Sequence, residues 1–299
     1  MIKILLLWIS VLSVAFANIS EYRIKEKALP IEENKIRILD VKELKFNKFN
    51  HLEVNELSAL AYRDNTLFAL NDKGTLFHFK IKIHNKKIKE LTLSQAYPLK
   101  NKEGKVLKKS KRDSEGLSFI GKDLLISFER KPRVEVFSSV GIKLKKKKIN
   151  KDIRDIKNYR SKNKALESVA YNEKYGVITA PEKSLEGLDI KQHTLYSKTK
   201  KWEFPASGSI TALEFMSQNK IMILQREFNS FSRRRVTTIS MLHLKSLEYE
   251  VLARLDTKDG WSLDNFEGLT KIDKNHYLMV SDDNDSFFQK TLLVLFEVF

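Results

Sequence analysis

The chain has 299 residues, 42% of them hydrophobic and 31% charged, which excludes a disordered polymer and suits one large or two small globular domains. It contains no cysteine, so disulfide staples, thiolate metal sites and cysteine nucleophiles are excluded, and burial alone must hold the fold. The formal net charge of +17 favours anionic partners such as lipid head groups, phosphorylated sugars or nucleic acid.

Residues 1–17 read MIKILLLWISVLSVAFA, with Lys3 ahead of an apolar run from Ile4 to Phe16 and a small-x-small end at Ala15-Phe16-Ala17. This is the pattern of a cleaved secretory signal, with the mature chain starting at Asn18 and destined for the periplasm or the medium. The apolar run is shorter than the ~20 residues that cross a bilayer. Residues 18–299 are expected to form one domain.

From residue 58 onward the chain repeats itself. SALAYRDNTLFALND (Ser58 to Asp72), EGLSFIGKDLLISFE (Glu115 to Glu129), ESVAYNEKYGVITAPE (Glu167 to Glu182), TALEFMSQNKIMILQR (Thr211 to Arg226) and EGLTKIDKNHYLMVSD (Glu267 to Asp282) share one plan. A polar residue, most often glutamate, precedes a small residue, an apolar strand, a polar turn, a second apolar strand and another polar residue. A period near fifty with short, even strands predicts an all-β propeller, one four-stranded blade per repeat. The outer halves of the blades follow each pair: VEVFSSVGIKLKKKK, DIKQHTLYSK with KKWEF, and RRVTTISMLHLKS with YEVLARLD. The last repeat has only TLLVLFEVF left, so KIRILDVKELKF (Lys35 to Phe46) is expected to supply its fourth strand and close the ring. Five blades are read directly, with residues 74–112 or 141–165 as room for a degenerate sixth. Residues 150–165 also predict a short amphipathic helix on a loop.

The lysine excess concentrates in KVLKKSKR (105–112) and KLKKKKINK (143–151). Without interleaved aromatic residues these runs do not describe a nucleic-acid surface. They read as edge-strand lysines that block edge-to-edge pairing, or as a peripheral contact with the cell envelope. The six histidines form neither H-x-H nor H-E-x-x-H, and there is no G-x-S-x-G elbow, P-loop or dinucleotide fingerprint.

In a propeller the first strand lines the channel and the second returns antiparallel, so the polar residues bracketing each pair should meet at one face. Glu115, Glu167 and Glu267 would come from inner strands, Glu129, Glu182, Asp282 and Asp283 from one strand further out, with Arg130 and Arg226 beside them. Crowded carboxylates are sustained by a hard cation such as Ca²⁺, by interleaved arginines that leave a phosphate clamp, or by each acid accepting backbone N–H groups as a turn cap.

The blocks DSEGLSF with LLISFER, ALESVAY with VITAPE, ITALEF with ILQREF, and DNFEGLT with SDDND and QKTLLVLF resemble the phytase-like family, described as esterase-like activity of phytase. The likeness runs over most of residues 50–299, although Glu56 sits two positions before Ser58 where a glutamate in register would be expected. The resemblance implies an exported propeller similar in architecture to the calcium-dependent phytases. It implies Ca²⁺ held by Glu115, Glu129, Glu167, Glu182, Glu267, Asp282 and Asp283, and chemistry on a small phosphorylated substrate carried by Glu115, Glu167, Glu267, Arg130 and Arg226. The alternative is a non-enzymatic propeller that binds an anionic ligand or a protein partner in the envelope. A monomer is expected in either case.

Overall fold

The computed structural model describes residues 15–16, 18–46 and 48–299. The segment expected to be a signal peptide therefore lies outside the described residues, apart from Ala15–Phe16, which pair with the outer edge of blade one. Five antiparallel sheets, each entered from its innermost strand, follow one another around a ring. Blade one is built from Leu57–Arg63, Thr66–Asn71, Thr75–His84 and Lys87–Pro98; blade two from Ser114–Ile120, Asp123–Phe128, Arg133–Phe137 and Lys143–Lys147. Blade three is built from Leu166–Asn172, Gly176–Pro181, Gln192–Tyr196 and Lys201–Pro205; blade four from Ser209–Phe215, Lys220–Phe228, Arg235–His243 and Tyr249–Asp256. Blade five takes Asn265–Lys271, His276–Asp282 and Thr291–Val298 from the end of the chain, and its fourth strand, Ile36–Lys45, from the beginning. The register runs from Thr291 opposite Leu44 to Val298 opposite Ile36. The expected closure of the ring is therefore what the fold shows, and the short strands Asn18–Glu21 and Ile31–Glu33 cover the outer side of Ile36–Lys45.

Among the described residues the ring has five blades and no sixth. Residues 74–112 hold the long outer hairpin of blade one and its connection to blade two, and residues 141–165 hold the last strand of blade two and a loop. The helix expected over 150–165 is replaced by two 3-10 turns, Lys151–Ile153 and Ile156–Asn158. Asn150 and Asp155 accept the N–H groups of Asp152 and Lys157, and such short-range side-chain caps end a helix before it can propagate.

Burial explains why the strands look so apolar. The core divides into five hydrophobic clusters, one between each pair of neighbouring blades. In blade four, Ile221 and Ile223 pack toward blade three while Met222 and Leu224 pack toward blade five. Both faces of the strand are covered, so the run is apolar throughout instead of alternating. Alternation returns on outer strands such as Lys201–Pro205, where Trp202 and Phe204 are buried between exposed neighbours. The seam between blades five and one, where Leu278, Val280 and Leu293 meet Leu57, Leu60 and Phe77, is built like the other four.

Candidate functional site

Each inner strand carries a β-bulge near its start. The ladders of the five inner pairs skip Ser58, Glu115, Glu167, Thr211 and Glu267 in turn. A bulge re-aims the extra residue and is favoured beside functional sites; here it turns one side chain per blade into the channel mouth. The glutamates are thus set by backbone geometry that recurs in every blade, even where the residue is not acidic. Ser58 and Thr211 use the position differently. Ser58 Oγ donates to the carbonyl of Ser114 at 3.1 Å, and Thr211 Oγ1 to that of Phe266 at 3.1 Å, tying each blade to the next.

One strand outward, the equivalent residues are Asp72, Glu129, Glu182, Arg226 and Asp282, so four acids and a single arginine form a second ring. Below the mouth the inner strands contribute a ring of small residues (Ala59, Gly116, Ser168, Ala212 and Gly268) and then one of aliphatics (Leu60, Leu117, Val169, Leu213 and Leu269), leaving only about 10 Å³ of space. That is too little to conduct water. The mouth is a blind cup with an acidic wall and an apolar floor.

The acids draw together as two groups. Carboxylate oxygens of Asp113, Glu115 and Glu129 lie within 4.8 Å of one another, and so do those of Glu129, Glu167 and Glu182. Glu129 belongs to both. Burial, reinforced by Glu167, Glu267, Glu129 and Asp113, pushes the Glu115 carboxyl well above the ordinary range. Burial beside Glu182 and Glu129 does the same to Glu167. Glu129 is pushed to about 7 by burial and Asp113, Asp72 to about 6 by burial and Glu56, and Asp282 to about 8 by burial and Glu267. Glu267 is raised too by burial, with Arg226 and Asn265 opposing it. Arg226 Nη2 stands 3.1 Å from Glu267 Oε1, and Asn265 Nδ2 donates to the same oxygen at 2.7 Å. Lys164 Nζ pairs with Glu182 at 3.0 Å.

The remaining expected residues sit elsewhere around the rim. Asp282 faces the cup with Oδ1 accepting the N–H of Asn284 at 2.7 Å, and it joins neither group of three. Asp283 is engaged in structure: Oδ1 accepts the N–H of Glu56 at 3.0 Å and Oδ2 the hydroxyl of Thr291 at 2.9 Å. Arg130 is largely exposed and pairs with Asp113 at 3.1 Å, beside the cup instead of within it. The sequence reading did not place Asp113 among the metal ligands and overlooked Lys164. Both fall one to three residues before an inner-strand glutamate, where the chain enters the mouth, and that offset was the available signal.

A groove of about 690 Å³ opens from the cup between blades three and four, lined by Arg160, Lys164, Lys183, Lys191, His193 and Arg226 with Glu182 and Phe228. A smaller cleft of about 250 Å³ separates blades four and five and shares Arg226 and Phe228. The basic run 143–147 is the outermost strand of blade two, with Lys145 and Lys146 exposed along the sheet edge, as edge protection requires.

Fold and site together define a five-bladed β-propeller with a blind acidic cup at the centre of one face. The chain belongs to the phytase-like family: the family described as esterase-like activity of phytase matches residues 52–285. No curated protein matches the sequence. Solved structures with some likeness to the chain include the mitotic checkpoint complex, at 13% identity over 81% of this chain and 62% of the other, with a TM-score of 0.39. The Myxococcus xanthus glutaminyl cyclase matches at 10% identity over 82% of this chain and 92% of the other, with a TM-score of 0.45. The chain thus spans less than two thirds of the length of the first, and neither likeness bears on chemistry.

Proposed function

We propose that the protein is an exported, calcium-dependent hydrolase of phosphate esters that works at the acidic cup. The observation that carries this reading is the convergence of Asp113, Glu115, Glu129, Glu167 and Glu182 into two groups of three that share Glu129. All their donors are hard oxygens, with no imidazole or thiol among them, which suits calcium better than zinc or copper. Buried polar atoms without a protein partner line the same cup, among them Asp72 Oδ1, Ser168 Oγ and Arg226 Nε, and such groups call for a ligand or water. Asp113, Glu115, Glu129, Glu167 and Glu182 would hold the ion. When bound, Ca²⁺ supplies fixed positive charge that polarises a phosphoryl oxygen and acidifies an attacking water.

The chain's own residues supply the rest. Arg226, held by Glu267 on one side, offers its remaining N–H groups to a phosphate oxygen. Lys164 and the groove cations Lys183 and Lys191 extend that attraction outward and admit a small anionic ester. Asp282, whose carboxyl is pushed up by burial and Glu267, has Oδ1 occupied by Asn284; Oδ2 is the atom that would carry a proton to a departing alkoxide.

The test uses the mature protein, with its metal content measured by elemental analysis and its rate measured on phosphate mono- and diesters with and without chelator. Calcium dependence and a loss of at least about 100-fold in Glu129→Gln are expected. A rate indifferent to chelator ends the metal reading. Tight binding of a phosphate ester without turnover supports instead a non-enzymatic propeller, which the cationic groove favours. The export part is checked separately, since secretion with cleavage after Ala17 leaves Asn18 as the first residue.

A further inference from the structure

Among the described residues eleven large hydrophobic side chains stand exposed, and six of them gather at three neighbouring loops. Leu188 and Ile190 lie between the second and third strands of blade three, Phe228 and Phe231 at the corresponding place in blade four, and Phe287 and Phe288 in blade five. Those three loops directly follow Glu182, Arg226 and Asp282, so they rise from the rim of the cup on one face of the disc. Phe231 is 100% exposed, Phe287 96% and Phe288 91%, values that mean whole phenyl rings in water. The loops are neighbours: those of blades three and four flank the groove, and those of blades four and five flank the smaller cleft. Phe287 and Phe288 pack edge to face at 5.8 Å, and Arg235 covers Phe228 at 5.2 Å.

The same face carries a surplus of positive charge. The connections that cross it from one blade's outer strand to the next blade's inner strand, residues 99–113 and 148–165, expose Lys105, Lys108, Lys109, Arg160 and Lys162, with Val106 among them. Glu186, Asp189 and Asp285 are acids on the apolar loops and Glu103, Asp113, Asp152 and Asp155 on the crossing segments, and the fourteen lysines and arginines of those two segments outnumber them. Isolated surface hydrophobics need no explanation, but fully exposed phenyl rings grouped on one face mark a contact. Aromatic tips beside lysine and arginine are the make-up of a surface that sits in the interface of an anionic bilayer. Among the described residues no helix is long and apolar enough to cross a membrane, so such contact would be peripheral. A second copy of the chain would bring +17 against +17, which disfavours self-association through a basic face.

We infer that the cup face docks on an anionic lipid surface, with Phe231, Phe287 and Phe288 inserted among the head groups and the lysines of the crossing segments held against lipid phosphates. This placement does not depend on the hydrolase reading; it would present the cup to whatever phosphate-bearing molecules lie at that surface.

The experiment is co-sedimentation with vesicles of equal parts phosphatidylglycerol and phosphatidylcholine, against pure phosphatidylcholine, over a salt series. Binding to the anionic vesicles that weakens with salt is expected. Phe231→Ser/Phe287→Ser/Phe288→Ser should weaken it by about tenfold or more, and Lys105→Gln/Lys108→Gln/Lys109→Gln should flatten the salt dependence. All six side chains are exposed, so unchanged Tm in both variants checks the fold. In Phe231→Trp the added emission should shift to the blue on anionic vesicles. The inference fails if the phenylalanine variant binds as well as the parent, if the new tryptophan stays in water, or if pure phosphatidylcholine binds equally. It fails also if the parent is a dimer that the phenylalanine variant dissociates and no vesicle is bound.

Discussion

Asp256, on the last strand of blade four, and Glu129, at the mouth, are both buried carboxylates, and the protein treats them in opposite ways. Asp256 is surrounded by its own cations: Arg234 Nε donates to both oxygens at 3.0 and 3.1 Å and its Nη2 to Oδ2, Arg254 Nη1 donates at 2.8 Å, and the N–H of Lys258 adds a fifth bond at 3.0 Å. The Arg234 contact holds its carboxyl well below the ordinary range. Glu129 accepts one long bond from the N–H of Ala165, at 3.3 Å, and otherwise faces Asp113, Glu167 and Glu182. Its pKa goes up to about 7. A carboxylate that serves the fold is neutralised by the fold, whereas the mouth acids are left short of positive charge by a chain with +17 to distribute. The shortage is local, and it is what an incoming cation would relieve.

The largest effect should separate these two sites directly. With calcium a thousandfold above its Kd, the Tm of the parent should rise by roughly 7 °C. Glu129→Gln should lose that rise, while Asp256→Asn should keep it and instead lower the Tm by several degrees in both conditions. The latter loss comes from removing the charge that Arg234 and Arg254 pair with. Equal calcium responses in the two variants would erase the distinction.

The pH dependence should split the same way. Asp256 has a depressed folded-state pKa, so its contribution is present above the unfolded value near about 4 and is lost as pH falls below it. Asp72, Glu129 and Asp282 have raised values of about 6, 7 and 8. For these the folded state binds protons more tightly than the unfolded one, so stability is full below about pH 4 and declines as pH rises toward 8. Metal-free protein should therefore melt at a higher temperature at pH 5 than at pH 8, and calcium should reverse the order. A thermal-shift series with chelator and with calcium measures both.

Two smaller effects probe the scaffold beneath the acids. A Cβ on Gly116 would meet Ser127 Oγ at 2.4 Å and the backbone nitrogen of Val169 at 2.8 Å, so Gly116→Ala should cost about 1–3 kcal/mol. It should also weaken the calcium response, because the adjoining Glu115 and Glu167 must shift. Ser58→Ala removes the hydroxyl that bonds the carbonyls of Ser114 in the next blade and Leu70 in its own, and should cost about 1 kcal/mol with the calcium response intact. Denaturant melts with calcium titration check both.

The repeat, its strand pairs and the closing role of residues 35–46 were legible because burial on both faces writes long apolar runs between turn residues. The bulges were not. One extra residue in a strand leaves no compositional trace, and Glu115-Gly116 or Glu167-Ser168 reads like any strand opening. Hence the sequence located the ring of acids without showing that backbone geometry aims them. Nor could it divide Asp282 from Asp283, whose roles part only through Asn284, Glu56 and Thr291 in space. The aborted helix at 150–165 had a legible apolar spacing, Ile153, Ile156 and Tyr159, which Asn150 and Asp155 divert into 3-10 turns.

The fifth blade also sets the order in which the protein can be finished. Thr291–Val298 lies between His276–Asp282 and Ile36–Lys45. Until these distant stretches of sequence have met, Ile36–Lys45 has no partner on that side, and the seam between blades five and one stays open. Closing the ring is thus the longest-range pairing of the fold and the step expected to come last.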